Sequence, residues 1–196
     1  MGDQPEITLD RRAVVARILK GRADTLVVTG LGAPSWDTAA AGDRADNFYL
    51  WGGMGGAAAT GLGLALAQPG RRVLVITGDG EMLMGVGTLA TIAVQRPANL
   101  AICVIDNQRY GETGMQETHT AFGVDLAAMA RGAGIEDAAT VWDESALDTA
   151  AAALLGAPGP VFVAIKVTPA ETPMVLPLRD GLALKHRFRE KLLGKA

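Results

Sequence analysis

Four runs of the chain are apolar without alternation: Thr25–Thr29 (TLVVT), Val73–Thr77 (VLVIT), Leu100–Ile105 (LAICVI) and Val161–Val167 (VFVAIKV). A strand with one wet face is polar at every second position. Uninterrupted Val, Ile and Leu instead suit strands buried on both faces of a parallel sheet. Between these runs the pattern predicts helices over Leu9–Lys20, Gly55–Ala67, Met82–Gln95, Val124–Ala133 and Ser145–Leu155, the last introduced by Asp143 and Glu144. Such alternation predicts an α/β fold, a doubly wound and mainly parallel sheet with helices on both faces. Residues 1–175 read as that domain. Residues 176–196 read as a basic helical tail, with Leu182, Phe188, Leu192 and Leu193 on one side and Arg187, Arg189 and Lys191 on a solvated face.

Two of the helical stretches lack the polar stripe of a helix that lies between a sheet and water. Gly55–Ala67 carries one hydroxyl and no charge, and Met82–Gln95 offers only Thr88, Thr91 and Gln95. Either loops of the same chain cover them or another subunit does. The glycines at 61, 63, 85 and 87 would thin both helices for a close neighbour, and a subunit interface is the simpler reading.

Composition narrows the picture. The 196 residues include 25 Gly, roughly twice the usual share. With 49% apolar residues the chain is no disordered linker, so its glycines stand where backbone must approach something closely. A net charge of −3 leaves no basic footprint for nucleic acid or anionic lipid. Cys103 is the single cysteine, which excludes a disulfide framework and a cysteine metal cluster. The opening MGDQPEITLDRR lacks the apolar core of a signal peptide, Glu6 departs from the myristoylation pattern, and no uninterrupted apolar run is long enough to span a membrane. A cytoplasmic protein is expected.

The chemistry gathers at two strand ends. Val73–Thr77 runs into Gly78-Asp79-Gly80, and after a further 25 residues Leu100–Ile105 runs into Asp106-Asn107. Both places lie at the carboxyl ends of parallel strands, where open α/β sheets bind ligands. A carboxylate and a carboxamide there supply hard oxygen ligands for Mg²⁺, which fills its remaining positions with phosphate oxygens and water. Gly80 admits close backbone approach, and a helix beginning near Glu81 turns free N–H groups toward an anion. Diphosphate held through Mg²⁺ follows. The alternative is a nicotinamide dinucleotide. Gly30-Leu31-Gly32-Ala33-Pro34-Ser35 approaches that fingerprint but ends in Ser35, and Gly78-x-Gly80 has Leu83 where the third glycine belongs.

The GDG, its gap and the following Asp106-Asn107 resemble the signature of thiamine-diphosphate enzymes in their diphosphate-binding domain. The resemblance takes in Trp51-Gly52-Gly53-Met54-Gly55-Gly56-Ala57 upstream and Gln108–Gln116 downstream, and covers about residues 25–168. In size and wording the chain is most similar to the β-type subunits of sulfopyruvate and phosphonopyruvate decarboxylases. Leu89–Ile92 (LATI) and the loop 106–116 carry that likeness. The resemblance implies thiamine diphosphate and Mg²⁺ as cofactors. Asp79, Asn107 and the backbone carbonyl of Arg109 would be the metal ligands. Gly78, Gly80, Glu81 and Gly111 would lie along the cofactor. Gly52 and Gly53 would border the aminopyrimidine, and Met54 would wedge the cofactor into its bent form. Two departures are present: Glu81 stands where the family often has a small residue, and Asp106 where it has Asn.

The resemblance also implies non-oxidative decarboxylation of a small anionic 2-oxo acid, in which the cofactor's carbanion adds to the keto carbon and CO₂ leaves. Carboligation or C–C lysis on the same cofactor is the alternative, and a cofactor-binding but catalytically silent regulatory subunit is a further one. In the family a Glu from a separate pyrimidine-binding domain protonates N1′ of the cofactor. No Glu here matches it, so the chain should be half of an active site completed by an α-type subunit, in an α2β2 or larger hetero-oligomer. His119 is the candidate proton shuttle of this chain, with Thr113 and Gln116 as substrate contacts. Ser35 and Trp36 are weaker substrate-side candidates, and Tyr110 is read as a packing residue.

Overall fold

The computed structural model describes residues 5–50 and 52–194. Trp51, which opens the glycine loop, lies outside the described residues, as do 1–4 and the last two residues of the tail. The strands are β1 (Leu26–Thr29), β2 (Asn47–Tyr49), β3 (Val73–Gly78), β4 (Leu100–Asp106), a small antiparallel pair β5 (Arg109–Tyr110) and β6 (Gln116–Glu117), then β7 (Asp137–Val141) and β8 (Val161–Lys166). Six of them form one sheet in the order β2-β1-β3-β4-β8-β7, and every pair in it is parallel. The four apolar runs are its four central strands, each buried along its length. The two strands the pattern does not reveal are the edges. β2 has only three residues, and β7 is exposed at Asp137 and Ala139.

The helices are α1 (Arg11–Leu19), α2 (Ala33–Ala40), α3 (Ala57–Ala67), α4 (Asp79–Met84), α5 (Thr88–Gln95), α6 (Leu126–Ala133), α7 (Leu147–Gly156) and α8 (Gly181–Leu193). Asp10 and Asp125 start α1 and α6 by accepting the N–H of Ala13 and Ala128. Two apolar layers result. Val28, Val75, Ile102 and Phe162 pack under α3, α5 and α6, while Leu74, Ile76, Cys103 and Val163 pack under α1 and α7.

Two expectations are corrected. The stretch Met82–Gln95 is not one helix: it breaks between Met84 and Thr88. A Cβ on Gly85 would fall within van der Waals contact of the Gly55 carbonyl oxygen, so the break lies backbone to backbone against the glycine loop. Gly61 sits as tightly on Val75. Glycines 61 and 85 therefore serve packing inside the chain, whereas 63 and 87 have open space around them. On the same side Leu66, Met84 and Val94 are 51%, 67% and 78% exposed, so no segment among the described residues covers this uncharged face.

The tail is the second correction. Arg189 and Lys191 are exposed and Phe188 is buried, in line with the reading, but Leu182 and Leu193 are 63% and 49% exposed, and the buried side at the β2 edge is formed by Leu184 and Phe188. There Phe188 meets Phe48 at 5.3 Å and Arg187 pairs with Asp43 at 2.6 Å. Among the described residues no helix is long and apolar enough to cross a membrane.

Candidate active site

The chain leaves β1 toward one edge of the sheet and β3 toward the other, which opens a crevice at the carboxyl ends of these neighbours. A cavity of about 450 Å³ occupies that edge. Asp79, the first residue of α4 after β3, and Asn107, the residue after β4, both line it, together with Gly78, Gly80, Arg109 and Gly111. Met54 lines the same cavity and is 39% exposed. Gly52 and Gly53 stand beside Met54 in the loop and are not among the lining residues.

Asp79 is 1% exposed. Burial, and then the neighbouring charge of Asp106, push its pKa up to about 6. It enters no ion pair among the described residues. Thr118 donates its hydroxyl to Asp79 Oδ2, and the Thr120 hydroxyl lies 3.2 Å from the same oxygen and 2.7 Å from Asp106 Oδ1. Asp106 also accepts the Gln108 N–H on Oδ1 at 3.1 Å, and its Oδ2 pairs with Lys166 at 2.6 Å. Lys166 is 5% exposed and its ammonium lies 5.3 Å from the centre of the Trp142 ring. Asp106, which stands where the resemblance leads one to expect Asn, thus has its own buried counter-charge.

These residues suit a hard divalent cation. A buried carboxylate with a raised pKa and no basic partner is a site where bound positive charge is favourable. Asn107 lines the cavity, and among the described residues its oxygen accepts the Arg109 N–H at 3.0 Å, which leaves acceptor capacity for a second partner. Among the described residues no cluster of three or more His, Cys, Asp or Glu is placed to hold a metal. Such a cation would therefore rely on one carboxylate, amide and carbonyl oxygens, and a phosphate-bearing ligand.

Glu81 also lines the cavity, with its carboxylate engaged by the protein. Its carboxylate accepts the Ala57 N–H at 3.0 Å and the Thr77 hydroxyl, which ties α4 to the start of α3. A side chain at Gly30 would collide with that arrangement. Gly80 lies against the Tyr110 ring, and Tyr110 also lines the cavity. Gly32, at φ +77, faces Glu112 across the mouth of the cavity. His119 is exposed at the start of a short 3-10 turn and is not among the lining residues. Gln116 is likewise outside, bonded to Thr113, which does line the cavity. Ser35 is fully buried, held by Thr29 and the Gly30 carbonyl, so it faces no substrate; Trp36 lines the cavity.

Several residues here are not visible as site residues in the sequence. Thr118 and Thr120 reach Asp79 only because the loop after β4 doubles back, with Thr118 donating its N–H to the Gln108 carbonyl at 3.0 Å. Arg11, at the start of α1, is 5% exposed, lines the cavity and pairs with the buried Asp37 at 3.1 Å. The segment after β8 crosses the cavity rim with Pro169, Thr172 and Met174. The one available signal was Lys166, a cation within an apolar run.

Residues 37–165 match the family described as thiamine pyrophosphate enzyme, C-terminal TPP binding domain. The chain is 37% identical over 186 residues to a sulfopyruvate decarboxylase subunit beta of Methanothermobacter thermautotrophicus, covering 95% of this chain and 97% of that one. It is 37% identical over 165 residues to a phosphonopyruvate decarboxylase of Streptomyces hygroscopicus, covering 84% of this chain but 41% of that protein. Its fold matches the thiamine diphosphate-dependent 4-hydroxybenzoylformate decarboxylase of Rhodococcus jostii RHA1 with a TM-score of 0.69 at 21% identity, over 88% of this chain and 36% of that one. The chain thus spans about a third of the solved enzyme's length.

Proposed function

The chain belongs to the thiamine pyrophosphate enzymes as a C-terminal TPP-binding domain, and from that premise we propose that it is the diphosphate- and metal-holding subunit of a non-oxidative 2-oxo acid decarboxylase. The observation that carries this reading is the meeting of Asp79 and Asn107 on one cavity at the strand crevice, in a chain as long as the decarboxylase β subunit it resembles. Asp79, the Asn107 side-chain oxygen and the Arg109 carbonyl would hold Mg²⁺. Gly78 and Gly111 would leave room for the diphosphate, Gly80 would lie along it while admitting the Tyr110 ring on its other side, and Met54 would support the bend of the cofactor. Thiamine diphosphate, when bound, supplies the carbanion that attacks the keto carbon and accepts the electron pair left as CO₂ departs. This chain's residues fix the metal, orient the diphosphate and wall off one side of the cavity.

The substrate would be a small anionic 2-oxo acid of the sulfopyruvate or phosphonopyruvate type. Two guanidinium side chains, Arg11 and Arg109, line the cavity, paired with Asp37 at 3.1 Å and Glu117 at 3.2 Å, and would be the basic groups nearest that charge. The partner would be an α-type subunit with the pyrimidine-binding domain, in an α2β2 or larger hetero-oligomer working in the cytoplasm. Support comes from the uncharged face around Leu66, Met84 and Val94, which a partner would cover. The Glu that acts on the pyrimidine would come from that partner, since the Glu81 carboxylate is taken by Ala57 and Thr77.

Co-purification from the native source, followed by assay of CO₂ and aldehyde release from sulfopyruvate, phosphonopyruvate and pyruvate, tests the reading. Turnover of an anionic substrate that needs both chains, thiamine diphosphate and Mg²⁺ is expected. Full turnover by this chain alone would overturn the split-site reading, and binding of a nicotinamide dinucleotide in preference to thiamine diphosphate would overturn the cofactor assignment.

A further inference from the structure

We infer that Thr118 and Thr120 are positioning residues for the cation site, assigning one oxygen of Asp79 to the protein and leaving the other to the metal. The inference rests on Asp79 being a metal ligand, as proposed above. A carboxylate on an isolated side chain can offer a cation either oxygen or both, and Mg²⁺, with its demand for near-octahedral geometry, is poorly held by a ligand that wanders. Here the choice is made in advance. Oδ2 accepts from Thr118 and is within 3.2 Å of the Thr120 hydroxyl, and all three groups are almost fully buried. Among the described residues both hydroxyls reach Oδ2, and Oδ1 takes no side-chain hydrogen bond.

The two threonines are themselves held. The Gln108 carbonyl accepts the Thr118 N–H at 3.0 Å and the Gln108 amide donates to the Thr120 carbonyl at 3.2 Å. Gln108, at φ +60, lies between Asn107 and Arg109, the two other residues assigned to the metal. The turn that delivers these ligands therefore also delivers the two hydroxyls. The Thr120 hydroxyl is 2.7 Å from Asp106 Oδ1, and Asp106 is anchored to Lys166 at 2.6 Å. A chain of buried polar contacts thus runs from β8 through β4 to Asp79 Oδ2, the oxygen held by the protein. Outer partners of this kind orient a ligand, and their removal typically costs about 10–100-fold in metal affinity.

The test uses the full chain with thiamine diphosphate present and follows cation binding by calorimetry, with Mn²⁺, Mg²⁺ and Ca²⁺ as probes. Thr118→Val and Thr120→Val keep shape and remove the hydroxyl. Each is expected to weaken Mg²⁺ and Mn²⁺ binding about 10–100-fold. Ca²⁺ binding should weaken less, because Ca²⁺ tolerates irregular geometry. Thr118→Ser and Thr120→Ser restore the hydroxyl and should restore the affinity and the Mg²⁺ preference. Melting of the metal-free variants separates these effects from loss of fold, and should Thr120→Val not fold, Thr118→Val and the Ser variants carry the test alone. Unchanged Mg²⁺ affinity in a folded Val variant, while Asp79→Ala abolishes binding, overturns the inference and leaves the metal site standing. Unchanged binding in Asp79→Ala overturns the metal site, and the inference with it.

Discussion

Replacing Asp106 by Asn installs the residue that the resemblance leads one to expect there, and the structure predicts that this change is harmful unless Lys166 changes too. The Asp106–Lys166 pair is 2.6 Å long, with side chains 1% and 7% exposed. The introduced carboxamide would keep an oxygen for the Gln108 N–H and the Thr120 hydroxyl, so the loss is confined to the second oxygen, where an amide would face a buried ammonium. Breaking a buried pair from one side costs about 3–5 kcal/mol, because the remaining charge is left without compensation. Lys166→Met alone should be at least as costly, since it leaves Asp106 unpaired beside Asp79. The double change removes both charges, lets Met pack on Trp142, and should return to within about 2 kcal/mol of the parent, since a buried pair replaced by apolar groups is often neutral. Urea unfolding of the full chain measures all four corners of the cycle, with stability read from midpoints at constant m. A single Asp106→Asn change that costs under about 1 kcal/mol, with no recovery in the double variant, would refute the claim that this pair is desolvated and coupled.

Other consequences are as specific. Gly85→Ala drives a methyl into the Gly55 backbone and should destabilise by about 1–3 kcal/mol; Gly63→Ala, with open space around it, should stabilise the isolated chain by about 0.5–1 kcal/mol, both read by thermal melting. In the metal-free chain Asp79, with its pKa raised to about 6, binds its proton more tightly folded than unfolded. Stability should therefore fall as pH rises from about 4 through 6, by on the order of 3 kcal/mol, and saturating Mg²⁺ with cofactor should reverse that slope. Val94→Glu, on a side chain 78% exposed, should leave the melting temperature of this chain within a few degrees while abolishing capture of the partner subunit.

What the sequence made legible follows from where each signal resides. The central strands could be read because burial on both faces removes every polar position from runs such as Val73–Thr77. The edges could not: β2 is too short to show a period and β7 is half exposed. The break in Met82–Gln95 was hidden because the apolar residues continue across it, and its cause, the Gly85–Gly55 contact, joins residues far apart in the chain. Asp79 and Asn107 stand out because strand ends are where an α/β sheet presents its ligands. Thr118, Thr120 and Arg11 are ordinary polar residues in sequence and acquire a role only when the loop after β4 and the start of α1 come to the cavity. His119 shows the reverse. A lone histidine in a polar loop reads as a proton shuttle, yet in this chain it is exposed and outside the cavity wall. Glu81, in the diphosphate segment, lines the cavity as well, but its carboxylate is taken by the Ala57 N–H and the Thr77 hydroxyl, partners that sequence order does not show.

Isothermal calorimetry of thiamine diphosphate binding to the full chain, with and without Mg²⁺ and with Asp79→Ala and Asn107→Ala alongside, tests the central claim most directly. The account predicts binding that requires Mg²⁺, is lost in Asp79→Ala, is weakened in Asn107→Ala, and has no counterpart with a nicotinamide dinucleotide. Binding that ignores Mg²⁺ and survives both substitutions would contradict it.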